Sequence, residues 1–234
     1  MRFKSLFVFA FLLIFATSAM ADKPVLAVTE FRNDTLAAWW YSGVGRDLEG
    51  MLTNELSSTG KFRMVERDKL SAVLDEQDLA ASGRVSKSTG AKIGKMTGAQ
   101  YLVIATLSAY EEDVKGTGGG LSFRGVSVGG KKEDAYLAVD LRVVNTTTGE
   151  IEHTRTIEAR ASSGGLNVGL YRGGFGGNLS KYEKTPAGKA IRAAIMYITE
   201  YLECAMVDQG DCMGEFAQQE KSRKEKTKKA IKLD

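Results

Sequence analysis

Hydrophobic positions along the chain change period several times, and each change marks an element. Leu6 to Ala16 is apolar throughout, while Pro24 to Phe31 is a mostly apolar run stopped by Asn33 and Asp34. That second run predicts a β-strand. Val44, Leu48, Met51, Leu52 and Leu56 then recur at helical spacing, with Gly60 placed to end the helix. Phe62 to Val65 reads as a short strand. Leu70, Val73 and Leu74 share one face of a second helix, with Asp68 as its expected N-cap. A polar stretch containing Gly83 and Gly90 leads to an expected short helix around Ile93 and Met96. Tyr101 to Leu107 is almost continuously apolar, as suits a strand buried on both faces. The order β-α-β-α-α-β predicts an α/β layer structure, a mixed sheet with flanking helices.

After Tyr110 the pattern changes. Leu121 and Phe123, then Val126 and Val128, alternate with small or polar residues and change phase at Gly125, where a bulge would fit. Leu137, Val139, Leu141 and Val143 form a period-2 face opposite Ala138, Asp140 and Arg142. Asn145 to Gly149 is a turn, and Ile151 to Ala161 runs on as a polar-alternating strand. Leu166, Val168 and Leu170 alternate again before the glycine cluster at 173–177. Two hairpins are expected, about 114–144 with its tip at Gly129 to Asp134, and about 151–180 with a glycine-rich middle. Fifteen of the 26 glycines fall between Gly116 and Gly177. Thr185 and Pro186 make a good N-cap and first helical residue for a helix with Ala187, Ile191, Ala194, Ile195, Ile198 and Leu202 on one face.

Arg2 and Lys4, the apolar run after them, and Ala19-Met20-Ala21 have the form of a cleaved secretory signal peptide over 1–21. The run is shorter than the roughly 20 residues a spanning helix needs. No cysteine stands near the cleavage point, so a lipid anchor there is not expected. Residues 22–216 then form one domain, and 217–234 is a tail with seven basic residues (Lys221, Arg223, Lys224, Lys226, Lys228, Lys229, Lys232) against three acidic. The domain itself carries 23 basic and 26 acidic residues, which argues against a nucleic-acid groove. The tail reads as a solvated, partly helical extension. In an exported chain Cys204 and Cys212, the two cysteines of the sequence, are expected to pair.

Candidate chemistry is thin. One histidine and two cysteines supply no zinc site without carboxylates, and they leave His153 as the sole imidazole base. His153 lies on a polar-alternating strand and reads as a surface residue. Gly125 to Lys132 nearly spells a phosphate-binding loop, but the closing Ser/Thr is missing and a strand follows where a helix N-terminus is required. No enzyme and no cofactor is expected. Trp39, Trp40 and Tyr41 stand together between the first strand and the first helix. They suit either an aromatic plug over the core edge or a contact surface for a partner or neighbouring subunit.

Met51 to Arg67, Val73 to Ala80, Thr97 to Val103, Tyr110 to Asp113, Gly116 to Gly130 and Ala138 to Glu150 together resemble the curli production assembly/transport family, CsgG-like, over most of 24–205. The resemblance implies an α/β periplasmic domain with two β-hairpins per subunit that assemble, in a homo-oligomeric ring, into one transmembrane β-barrel in the outer membrane. It implies diffusive secretion of unfolded curli or amyloid-type subunits, with periplasmic or extracellular assembly factors as further partners. By position, Trp39, Trp40 and Tyr41 would fall on the pore constriction loop. A membrane-spanning strand needs about 9–11 residues with one apolar side. On that basis Leu121, Phe123, Val126, Val128, Leu137, Val139, Leu166, Val168 and Leu170 are the membrane-facing candidates. The alternative is a soluble periplasmic binding or scaffold module related to lipoprotein activators of cell-wall synthases.

Overall fold

A computed structural model describes residues 22–112, 121–123, 126–128, 134–162 and 184–230. The expected signal peptide therefore lies outside the described residues, as does the second half of the expected 151–180 hairpin with Leu166, Val168 and Leu170.

The apolar run after Pro24 forms β1 (Val25–Val28), buried on every residue, and a two-residue strand β2 (Arg32–Asn33). The helical spacing yields α1 (Val44–Ser58), which turns Val44, Leu48, Met51, Leu52 and Leu56 into the core. After β3 (Arg63–Met64) comes α2 (Leu70–Ala81). Its start differs from expectation: Lys69, not Asp68, stands at the N-cap, no side chain caps the first turn, and the Glu66 carboxylate accepts from the backbone N–H groups of Asp68 and Lys69 in the turn that precedes the helix. No residue of α2 is buried, and no helix forms at Ile93 and Met96, both exposed in an irregular segment. Two apolar residues without a repeating face cannot hold a helix against solvent.

β4 (Tyr101–Glu112), β7 (Asp134–Asn145) and β8 (Ile151–Ser162) are the long strands, and β5 (Leu121–Phe123) and β6 (Val126–Val128) lie between β4 and β7 in sequence. The main sheet runs β3-β1-β4-β7-β8, with β2 also on β4. β1 is parallel to β3 and β4, whereas β4, β7 and β8 form an antiparallel meander. This is the expected mixed sheet. The first hairpin is paired differently from expectation. β7 pairs with β4, Glu112 opposite Ala135, and β5 and β6 pair with each other, Phe123 opposite Val126, as a separate two-stranded sheet. The bulge expected at Gly125 lies outside the described residues, and among those described the register shifts lie between Leu107 and Ala109 and between Val143 and Val144.

α3 (Pro186–Glu203) packs on β7, β8 and α1, and its N-cap is Thr185, whose Oγ1 accepts from Gly188 N–H at 3.1 Å. Leu137 and Val139 must be corrected as membrane-facing candidates. They are 1% and 5% exposed and belong to the core, with Ile157 and the α3 residues Ile191 and Ile195. α3 supplies the apolar cover that the period-2 face needs, so no lipid is required there. A π-helical turn (Cys204–Asp208) then leads to α4 (Cys212–Ala230). The Cys204–Cys212 disulfide closes that corner. Among the described residues no helix is long and apolar enough to cross a membrane.

Candidate functional site

The loop between β2 and α1 is held by its own polar side chains. Asn33 Oδ1 accepts from Thr35 N–H at 2.9 Å and from the Thr35 hydroxyl at 2.7 Å, and Thr35 Oγ1 accepts from Ala37 N–H at 3.2 Å. Asx-type bonds of this kind fix a loop without secondary structure. Ala37 and Tyr41 carbonyls then accept from Trp40 and Val44 N–H, and Gly43, at φ 99°, turns the chain into α1. A side chain at Gly43 would be strained by that positive φ.

The structure divides the aromatic cluster. Trp39 is a plug: it is 3% exposed, lies within the core, and has ring centroids 5.6 Å from Trp40 and 5.5 Å from Tyr110, the latter edge-on. Its indole N–H is buried with no hydrogen-bond partner among the described residues. Trp40 and Tyr41 are half-buried against the same core and keep part of their rings outside. Leu36, at the head of the loop, is fully exposed. Sequence reading missed both Leu36 and Tyr110. The signal for Leu36 was present, since it is an apolar residue immediately behind an Asn-Asp-Thr turn.

Position gives the loop its interest. Asp34 N–H donates to Leu107 C=O, β2 pairs with Thr106 and Leu107, and Trp39 touches Tyr110, two residues from the end of β4. At that end Glu112 faces Ala135, while Asp134 faces Ser162. The two glycine-rich segments, 113–133 and 163–183, thus both attach at one end of the β4-β7-β8 meander. The aromatic loop is packed against β4 near that end. Of the other expected site residues, Leu121, Phe123, Val126 and Val128 lie on β5 and β6 within the first of these segments.

Three further clusters organise the surface. Arg155 of β8 lies with its guanidinium carbon 5.0–5.5 Å from the rings of Tyr197, Tyr201 and Phe216, and it donates to Tyr197 Oη and Phe216 C=O. Cation–π contact of this sort ties α3 and α4 to the edge strand. Lys61 bridges Glu203 and Asp208 at 3.0 and 2.7 Å, fastening the end of α1 to the π-helical turn. Glu49 of α1 is 6% exposed, and burial raises its pKa to about 7, with the nearby Asp68, Glu66 and Glu30 carboxylates adding to the shift and Arg46 opposing it. Sequence reading missed Glu49, although it sits on the buried stripe Gly45-Glu49-Leu52-Leu56.

His153 is half-buried, and burial lowers its pKa. The neighbouring Glu152 carboxylate opposes that shift, and among the described residues no side-chain hydrogen bond joins His153 to an acid or a nucleophile. No group of three or more His, Cys, Asp or Glu side chains among the described residues is disposed to hold a metal ion.

A family model described as curli production assembly/transport component CsgG matches residues 11–231. The curli production assembly/transport components of Salmonella typhimurium and Escherichia coli are each 27% identical over 135 residues, covering 56% of this chain and 49% of theirs. The chain thus spans about half the length of the curated relatives it matches. Among solved structures, a hypothetical protein from Chlamydia trachomatis aligns with a TM-score of 0.49 and 14% identity, over 80% of this chain and 99% of that one.

Proposed function

The chain belongs to the curli production assembly/transport component CsgG family, and from that premise we propose that it is one subunit of an oligomeric outer-membrane pore for unfolded curli-type proteins. The observation that carries the reading is the shared attachment of segments 113–133 and 163–183 at one end of the meander, with the Trp39-Trp40-Tyr41 loop packed near it. Each segment has room for two strands of about 9–11 residues, the length a tilted membrane-spanning strand requires. Two such hairpins from one subunit leave unpaired edges, which identical neighbours can satisfy by closing a cylinder. Leu121, Phe123, Val126 and Val128 on the first segment, and Leu166, Val168 and Leu170 on the second, are the lipid-facing residues in this reading.

Unfolded chains need no chemistry to pass such a wall, only a wide path and a narrow place that excludes folded proteins. We assign the narrow place to the loop: Leu36, Trp40 and Tyr41 are its exposed or half-exposed apolar groups, while Trp39 anchors it from within. The chain is exported under the expected signal peptide 1–21, resides in the outer membrane with its α/β domain in the periplasm, and uses no cofactor. Its partners are its own copies, the secreted subunits, and assembly factors on either side of the membrane.

Extraction of outer membranes in mild detergent, followed by electron microscopy and planar-bilayer recording, tests the proposal. Ring-shaped particles with stable large conductance are expected. Recovery of the chain as a monomer in the periplasmic fraction overturns the pore and leaves the soluble binding or scaffold module in its place.

A further inference from the structure

Resting on the reading of the chain as a ring subunit, we infer that neighbouring copies are joined by an ionic clasp. The basic surface of α4 in one copy seats against the carboxylate cluster of Glu30, Glu49, Glu66 and Asp68 in the next. Both halves of the contact are visible in a single chain, at opposite edges of its sheet.

α4 is a helix in search of cover. Over Cys212–Lys229 only Cys212, Phe216, Glu220 and Arg223 are even partly buried, a single narrow stripe. Arg223 links that stripe to the edge strand through Glu158 at 3.6 Å and to Glu220 at 2.8 Å. Beyond Arg223 every described side chain is exposed, and Lys221, Lys226, Lys228 and Lys229 make no ion pair among the described residues. A helix polar on nearly all sides draws little stability from apolar burial in its own domain; bridging between bodies is one way such a helix is held, and its own Glu220 pairs with Arg223 and Lys224 are another.

The opposite edge of the sheet carries the complementary defect. Glu66 and Asp68 follow β3, the edge strand there, and Glu30 follows β1, its neighbour. Glu49 lies behind them, almost wholly buried, with no hydrogen bond or ion pair among the described residues. A buried carboxyl without a partner is costly, and a cation brought against the cluster relieves that cost. From its own chain Arg46 opposes the charge at Glu49 and Asp47, and Arg67 and Lys69 alternate with Glu66 and Asp68, Arg67 donating to the Glu66 carbonyl at 3.3 Å. The Glu49 side of the cluster has one opposing cation for several carboxylates, and α4 displays four lysines that make no ion pair among the described residues.

Because β3 and β8 are the two ends of the sheet order, a contact between the β8-side helix and the β3-side carboxylates is head-to-tail. Such a contact repeats from copy to copy and closes into a ring when the rotation between copies allows it.

Two charge-reversed forms of the full chain test the clasp: Lys221→Glu/Lys226→Glu/Lys228→Glu on α4, and Glu30→Lys/Asp68→Lys on the other edge. All five positions are exposed, so circular dichroism is expected to match the parent. Each reversal alone should raise the concentration for half-assembly, read by mass photometry of detergent-extracted protein, by at least tenfold. The chain carrying both reversals should recover most of that loss. Parent-sized rings from either single-edge variant, or no recovery in the folded double-edge variant, overturn the clasp while the ring stands. A parent chain that is monomeric at every concentration overturns the ring, and the clasp with it. Failure of the carboxylate variant alone, with normal assembly of the α4 variant, gives the cluster a different cationic partner and also overturns the clasp.

Discussion

Glu49 occupies a position on α1 where the helical repeat asks for leucine. Its folded pKa of about 7 lies above the ordinary carboxyl value of 4.5. The native state therefore holds a proton that the unfolded chain releases between those values. Stability falls as pH climbs from about 4.5 to 7, by on the order of 1–3 kcal/mol. Glu49→Gln keeps the shape and removes the titration. Thermal unfolding at pH 5, 6, 7 and 8 should show a declining melting temperature for the parent and a flatter profile for the variant, with the gain largest at pH 8. Equal profiles would place the proton elsewhere. The tryptophans separate in the same way. Trp39→Ala removes a core side chain and should cost about 3–5 kcal/mol in denaturant unfolding. Trp40→Ala and Leu36→Ala should change stability by about 1 kcal/mol or less while raising single-pore conductance. The run Trp39-Trp40-Tyr41 was legible in the sequence as an aromatic site. Which ring points inward was not, because adjacent loop residues have no period to read.

Among the elements, local chemistry was legible where one residue determines the outcome. Thr185 before Pro186 fixes the start of α3 by a bond within three residues, and Thr185→Ala should cost about 1 kcal/mol. The disulfide has the same local character. Replacing Cys204 and Cys212 together by serine should lower stability by about 2–3 kcal/mol through the loop they close. Limited proteolysis should then cut near α4 first, since among the described residues that helix would be held only by Arg155, Arg223 and the contacts of Phe216 and Gln219 with Tyr197 and Tyr201. Unfolding curves that superimpose on the parent would count against both statements. Pairing of the central strands was less legible. Alternation in the glycine-rich stretch marks strands but does not choose their partners, because slipped registers bury similar small surfaces. β7 is claimed instead by β4, whose long apolar run offers it eleven paired positions, and α3 then covers Leu137 and Val139. The period of a face shows that something must cover it, and here that cover is a helix 50 residues further along the chain.

At the scale of the molecule, the α/β layer and the glycine-rich segments are separable parts, and this separability makes the pore reading testable by subtraction. Glu112 and Ala135 face each other at the end of the antiparallel β4–β7 ladder, so the ends left by removing 113–133 are already adjacent. An Asn-Gly pair can join them, since two-residue turns with that sequence suit antiparallel strands. The described core is built from β1, β4, β7, β8, α1 and α3. The shortened chain should therefore fold, melting within a few degrees of the parent. It should also lose the first of the two hairpins that each copy lends to the wall. A cylinder missing one hairpin per subunit cannot satisfy its strand edges in lipid, where every backbone group needs a partner. The expected result is a folded protein released to the periplasmic fraction, with no conductance in bilayers. A shortened chain that still sediments with outer membranes and conducts would mean that 113–133 is not part of the wall. Conductance would then have to arise from 163–183 alone, or from a different assembly of the α/β domain.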